Sequence, residues 1–205
     1  MKQFATKSFK IPELRGISTK NIEEHLKLYA GYVKNANLIL ENIAELKKNI
    51  DVTTSAGAGN VYALGEIGRR FGFEYNGMRN HETYFAAFEG GAKPPIDRSP
   101  LMTMITETWG SFDMWLAEFR TIAMTRGIGW AMLYYDRKDS RLLNAWVDEQ
   151  HMGQLQDCTL VLALDMWEHS YVADYQPSGK KAYVEDFFVN LDWDVIENNY
   201  SQAGK

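Results

Sequence analysis

The chain has 205 residues, of which 45% are hydrophobic and 13% aromatic, enough to bury a proper core as one domain or two intimate subdomains. Its formal net charge of -5, with no long basic stripe, argues against nonspecific binding to nucleic acid, which neutralises many phosphates with clustered Lys and Arg. No stretch reaches the about 20 mostly apolar residues of a membrane span, residues 1–10 lack the apolar core of a secretory signal, and the single Cys158 cannot form an intrachain disulfide, so a soluble, cytoplasmic protein is expected.

The spacing predicts a helix from about Thr19, capped by Ser18, with His25, Leu28, Tyr32, Ala36 and Ile39 on one face. A charged break from Leu46 to Asp51 and the small residues Thr53 to Gly59 read as a loop. A second helix follows, with Tyr75, Met78, His81, Phe85 and Phe88 inward. Gly90 to Pro95 breaks the chain, and the subdomain boundary is placed there, giving a helical hairpin over 1–92 and an α/β subdomain over 93–205.

Ser99-Pro100 pairs an N-cap with a proline in the first helical position, and helices then run to Arg126 with Phe112, Trp115, Leu116, Phe119 and Ile122 toward the core. After Gly127 and Gly129 the pattern alternates through Trp130, Met132 and Tyr134, and Asp136 to Ser140 is turn-like. Leu142 to Val147 and Thr159 to Asp165 read as further strands, for which a three-stranded antiparallel meander is the economical arrangement. From Lys180 the pattern is helical again, with a last short helix around Trp193 to Tyr200. The fold class is therefore α+β.

The most informative stretch runs from Leu162 to Tyr171, where an apolar run stops at Asp165 and an imidazole, His169, follows four residues later. A helix-capping Asp and a surface His would explain this pair alone. Only four histidines occur in the chain, however, and His25 and His81 also sit in aromatic, apolar surroundings. Three imidazoles and a carboxylate suit Fe, Mn or Zn, whereas Ca²⁺ and Mg²⁺ prefer oxygen shells. Such a set would put two ligands on N-terminal helices and two at the end of a strand, pinning the two halves together.

The stretch Asp165-Met166-Trp167-Glu168-His169-Ser170-Tyr171 resembles the D-x-W-E-H-x-Y signature of the iron/manganese superoxide dismutase family. Tyr32-Val33-Lys34-Asn35, Asn80-His81, Gly110-Ser111-Phe112-Asp113 and Gly129-Trp130 resemble other motifs of that family in the same order, so the likeness spans roughly Ser18 to Tyr200. It implies a helical hairpin followed by an α/β subdomain around a three-stranded antiparallel sheet. It also implies one Fe or Mn ion per subunit held by His25, His81, Asp165 and His169, with superoxide as the substrate dismuted to O₂ and peroxide. Tyr32 would be the gateway tyrosine that relays protons, and Trp130 and Trp167 would wall the pocket. Glu168 would reach the partner's last ligand histidine across the two-fold axis of a homodimer.

Three departures from the family pattern matter. His25 and Tyr32 lie seven apart where relatives have eight, which predicts a less distorted helix here; counting back from Tyr32 would make Glu24 the ligand instead. Gly77 occupies the place from which many iron-type members supply a Gln to the metal-bound solvent, so that role falls to His151, with Gln150 in reserve. A second cross-subunit pair is absent, its places holding Tyr29 or Leu28 and Val172. Lys180 is the candidate for steering the anionic substrate. A zinc hydrolase using Glu168 as base and an inactive dimeric binding protein are the rival readings.

Overall fold

The computed structural model describes residues 2–204. Helix α1 spans Thr19–Leu46, its first turn closed by the Ser18 hydroxyl accepting from the Asn21 amide. Helix α2 spans Ser55–Ala86 and begins inside the segment expected to be a loop. Thr54 caps it by accepting from the Gly57 amide, and Gly57 itself lies so close to the Asp51 carbonyl that no Cβ would fit. The small residues there serve a tight helix entry rather than a long loop.

Tyr29 meets Glu82 and Asn35 meets Glu74, so α1 and α2 run antiparallel. The buried stripe of α1 is Ile22, His25, Tyr29, Val33, Ala36 and Ile39, whereas Leu28 and Tyr32 lie half-buried at its edge. The sequence reading had turned this face by about one position. Tyr75 is likewise half-buried, while Met78, His81, Phe85 and Phe88 are fully enclosed.

Gly90 and Gly91, both at φ 84°, turn the chain after α2 in the left-handed region that favours glycine. Helices α3 (Pro100–Trp109) and α4 (Phe112–Ala123) follow, capped by the Ser99 and Ser111 hydroxyls. Three strands come next: β1 Gly129–Asp136, β2 Arg141–Asp148 and β3 Cys158–Asp165. The sheet is antiparallel, but its order is β2-β1-β3, so the expected meander is corrected. Strand β2 ends beside Gly129 whereas β3 starts beside Asp136, so the chain runs back along the length of the sheet before pairing on the far side of β1. The central strand has an apolar composition to match: Gly129 to Tyr134 is buried throughout rather than alternating.

Helix α5 (Glu168–Tyr175), which the hydropathy pattern did not signal, begins three residues after β3. Helices α6 (Lys180–Asn190) and α7 (Trp193–Ala203) close the fold. Both α2 and α7 pack on β3, and α5 packs on α1. These contacts bring the C-terminal end of β3 and the start of α5 against the middle of the hairpin. An aromatic core including Tyr84, Phe85, Trp130, Tyr183 and Phe187, all fully buried, fills the junction.

Candidate metal centre

His25 stands in the second turn of α1, His81 near the end of α2, Asp165 at the last position of β3 and His169 at the second position of α5. Their Nε2 atoms converge on Asp165 Oδ2, at 3.2 Å from His25, 3.4 Å from His81 and 3.1 Å from His169. All four ligand atoms lie within 4.8 Å of one another. Glu24, by contrast, is exposed and pairs with Lys27 at 2.8 Å, while α1 runs without interruption through both His25 and Tyr32. The seven-residue spacing is accommodated in a regular helix.

Local bonds fix two of the four donors, His81 and Asp165. His81 Nδ1 donates to the Gly77 carbonyl one turn back at 2.6 Å, which assigns its tautomer and leaves Nε2 with a lone pair. That Nε2 is buried and makes no hydrogen bond among the described residues. The Trp167 amide donates to Asp165 Oδ1 at 2.8 Å, and the Asp165 carbonyl accepts from the Ser170 and Tyr183 hydroxyls at 3.0 and 2.9 Å. The carboxylate therefore turns its remaining oxygen, Oδ2, toward the three imidazoles.

Burial, together with the neighbouring His169, lowers the pKa of His25; burial and the neighbouring His25 lower that of His81 to about 3. Burial works against the Asp165 carboxylate, but the His169 and His25 imidazoles outweigh it and hold its pKa below the usual range. The cluster is therefore a pair of neutral buried imidazoles and a carboxylate with a third imidazole. A closely packed N₃O donor set in which the buried His81 Nε2 has no hydrogen-bond partner among the described residues fits a divalent or trivalent transition ion.

Around the donors lies a second layer of contacts. Gln150 is fully buried; its Nε2 donates to the Tyr32 hydroxyl at 2.9 Å, its Oε1 accepts from Trp130 Nε1 at 2.9 Å, and its carbonyl accepts from Asn80 at 2.9 Å. The rings of Tyr32 and Trp130 each lie 5.0 Å from that of His81, and Trp167 stacks on His169 at 5.8 Å. Trp167 Nε1 donates to the Glu149 carbonyl, tying the same loop down. Burial, with the charges of Asp165 and Glu74, raises the pKa of Tyr32 well above that of a free phenol, so the hydroxyl stays protonated at physiological pH.

Of His151 and Gln150, it is Gln150 that bonds to the Tyr32 hydroxyl. The His151 ring packs edge-on against Phe73 at 5.9 Å and beside Gly72, and makes no bond to Tyr32. Gly77 supplies the complementary reason: a Cβ there would fall 2.6 Å from Tyr32 Cδ1, so the tyrosine ring fills the space that a side chain at that position would need.

Lys180 is not among the residues that line the mouth beside His169. Its ammonium donates to the Thr125 carbonyl at 2.7 Å and lies 5.6 Å over the Trp146 ring. The mouth beside His169 is lined by Tyr32, Asn35, Arg70, Phe73, Glu74 and Trp167. Sequence reading missed Arg70 and Glu74, and met Asn35 only as part of the Tyr32–Asn35 motif; the spacing of Arg70 and Glu74, one turn apart on α2 and just before Gly77, was the available signal. Glu168 is exposed at the start of α5 and makes no ion pair among the described residues.

An antiparallel helical hairpin and an α/β layer gripping one three-histidine, one-carboxylate centre define a single-ion metalloprotein. The family model described as iron/manganese superoxide dismutases, C-terminal domain, matches residues 97–199. The chain is 36% identical to the iron superoxide dismutase of Cupriavidus metallidurans over 93% of its own length and 92% of the relative's. It is 35% identical to manganese superoxide dismutase 2 of Haloferax volcanii, over 85% of this chain and 82% of the relative, and 31% identical to the iron superoxide dismutase of Aquifex pyrophilus, over 94% and 88%. The chain belongs to the iron/manganese superoxide dismutase family.

Proposed function

We propose that the protein is a superoxide dismutase that holds one Fe or Mn ion per subunit through His25, His81, Asp165 and His169. The observation that carries this reading is the convergence of four ligand atoms within 4.8 Å in a chain of this family. Nothing supports the rival hydrolase or the inactive binding protein. When bound, the ion supplies one-electron chemistry in both directions, so that two superoxide anions and two protons yield O₂ and hydrogen peroxide.

The chain's own groups then have separate tasks. His25 and His81, neutral at physiological pH, offer lone pairs without first losing a proton, and Asp165 contributes the negative charge. Tyr32, held by Gln150, presents a hydroxyl at the mouth from which a proton can pass to a reduced oxygen anion. Trp130 and Trp167 keep bulk water from the imidazoles they cover, which strengthens every charge interaction inside. In the two-part division at residue 92, each part supplies two ligands.

We further propose a cytoplasmic homodimer. His169 is 21% exposed and makes no hydrogen bond through Nδ1 among the described residues, while the neighbouring Glu168 carboxylate is exposed and unpaired. Both observations support a reciprocal Glu168–His169 contact between two copies; equilibrium sedimentation showing only monomer at micromolar concentration would contradict it. The catalytic reading is tested by stripping the protein, reloading it separately with Fe and Mn, and assaying superoxide consumption. Activity with at least one metal is expected, and none with either would overturn it.

A further inference from the structure

We propose that Arg70 forms a docking fork for small monoanions at the mouth of the metal centre, held in place by Glu74 and Asn35; this rests on the dismutase reading. Among the residues lining the mouth, Arg70 is the only one with a permanent positive charge. Its Nε donates to Glu74 Oε1 at 3.1 Å, and its guanidinium carbon lies 3.6 Å over the Phe73 ring. The side chain is 51% exposed, and its two Nη groups make no hydrogen bond among the described residues.

This arrangement differs from an ordinary surface ion pair. A carboxylate that neutralises an arginine fully takes both arms of the fork; here Glu74 is nearly buried and engages Nε alone, while its other oxygen accepts from Asn35 Nδ2 at 3.3 Å. Stacking on Phe73 and the single bond to Glu74 fix the plane of the guanidinium at small entropic cost. The Nη edge remains unbonded among the described residues, and Arg70 lines the same mouth as Tyr32, Trp167 and His169. A planar fork with two free NH₂ groups suits a diatomic or triatomic monoanion approaching the centre. Superoxide is such an anion, and the chain's overall charge of -5 would otherwise repel it.

Lys180 is not among the residues lining this mouth, and its ammonium donates to the Thr125 carbonyl. The buried Glu74 carries the opposite sign so near the mouth that the pair makes a signed prediction. Removing the Arg70 charge should slow anion capture, and removing the Glu74 charge should speed it. A purely structural ion pair would lose function in both cases.

The test uses the metal-loaded protein in three forms: wild type, Arg70→Gln and Glu74→Gln. Second-order rate constants for superoxide are measured across ionic strength, and azide affinity is measured by absorption titration, which needs no turnover. We expect Arg70→Gln to lower the rate constant by roughly three- to tenfold, to flatten its salt dependence and to weaken azide binding. Glu74→Gln, in which the Asn35 amide can rotate to present its oxygen, should raise the rate constant and steepen the salt dependence. An active wild type with an Arg70→Gln variant unchanged in rate, salt slope and azide affinity overturns the fork, as does a Glu74→Gln variant that is slower. A wild type inactive with either metal overturns the dismutase reading, and the azide titration alone then decides the fork.

Discussion

Gln150 Nε2 donates to the Tyr32 hydroxyl at 2.9 Å, joining residues 118 positions apart in the chain. Because Gln150 also accepts from Trp130, the amide orientation is set: only its nitrogen can face the tyrosine. The tyrosine oxygen is thus an acceptor toward Gln150, which leaves its own proton free to point toward the mouth. Tyr32→Phe should retain a full complement of metal and lose about 1 kcal/mol or less of stability, since a neutral hydrogen bond nets little. Turnover at saturating superoxide should fall by about tenfold or more if this hydroxyl supplies protons; rapid-mixing kinetics that match wild type at saturation would refute the role.

Gln150 and His151 separate cleanly by denaturation. Gln150→Ala would strip the buried Trp130 Nε1 of its acceptor and open a cavity, costing about 2–4 kcal/mol. His151→Ala removes a half-buried ring that touches Phe73 and should cost under about 1 kcal/mol. Urea midpoints in the reverse order would place the structural weight on the wrong neighbour.

At Gly77 two effects oppose one another. Ala in a helix interior is favoured over Gly by roughly 0.5–1 kcal/mol. The added Cβ would, however, lie 2.6 Å from Tyr32 Cδ1 and 2.7 Å from Cε1, atoms of a rigid ring that cannot fold aside. The clash should win, giving a net loss of about 1–3 kcal/mol and breaking the Tyr32–Gln150 bond. Thermal unfolding of Gly77→Ala checks the sign: a rise in Tm would mean that the ring moves freely.

The chain's local signals and its assembly were unequally legible. Caps at Ser18 and Ser99 and the Asp165–His169 pair could be read directly, because each is a short-range pattern with a local cause. The strand order could not: alternation is a property of one strand, whereas the central place of β1 depends on which neighbours it finds on each side. The unbroken burial of Gly129 to Tyr134 was the trace it left. The start of α2 was hidden because Gly57 and Gly59 have poor helix propensity, which a single capped turn overrode. His151 drew the choice over Gln150 through its residue type, since a histidine is a more conspicuous hydrogen-bonding group than an amide. Only the three-dimensional course of the β2–β3 loop decided which of the two adjacent side chains turned inward.

The metal-free protein should weaken in acid. The folded pKa of His81 is near 3, below the ordinary value of 6.5, so between these values the unfolded chain binds more protons than the folded one. Stability contributed by the neutral imidazole is present above pH 6.5 and is lost as pH falls toward 3; His25 and Asp165, also shifted downward, add in the same direction. Urea midpoints of metal-free protein should therefore drop steadily from pH 7 to pH 4. A flat profile across that interval would mean that the imidazoles are protonated in the folded state.

Metal stoichiometry of the wild type and of His169→Ala, measured by elemental analysis on protein shown by circular dichroism to be folded, tests the four-donor centre most directly. His169 is the least buried of the four donors, so its removal should spare the fold. The account predicts close to one Fe or Mn per wild-type chain, with little retained by the variant and its dismutase activity lost alongside. Equal metal content and activity in both proteins would contradict it, because the ion would then have to be held elsewhere.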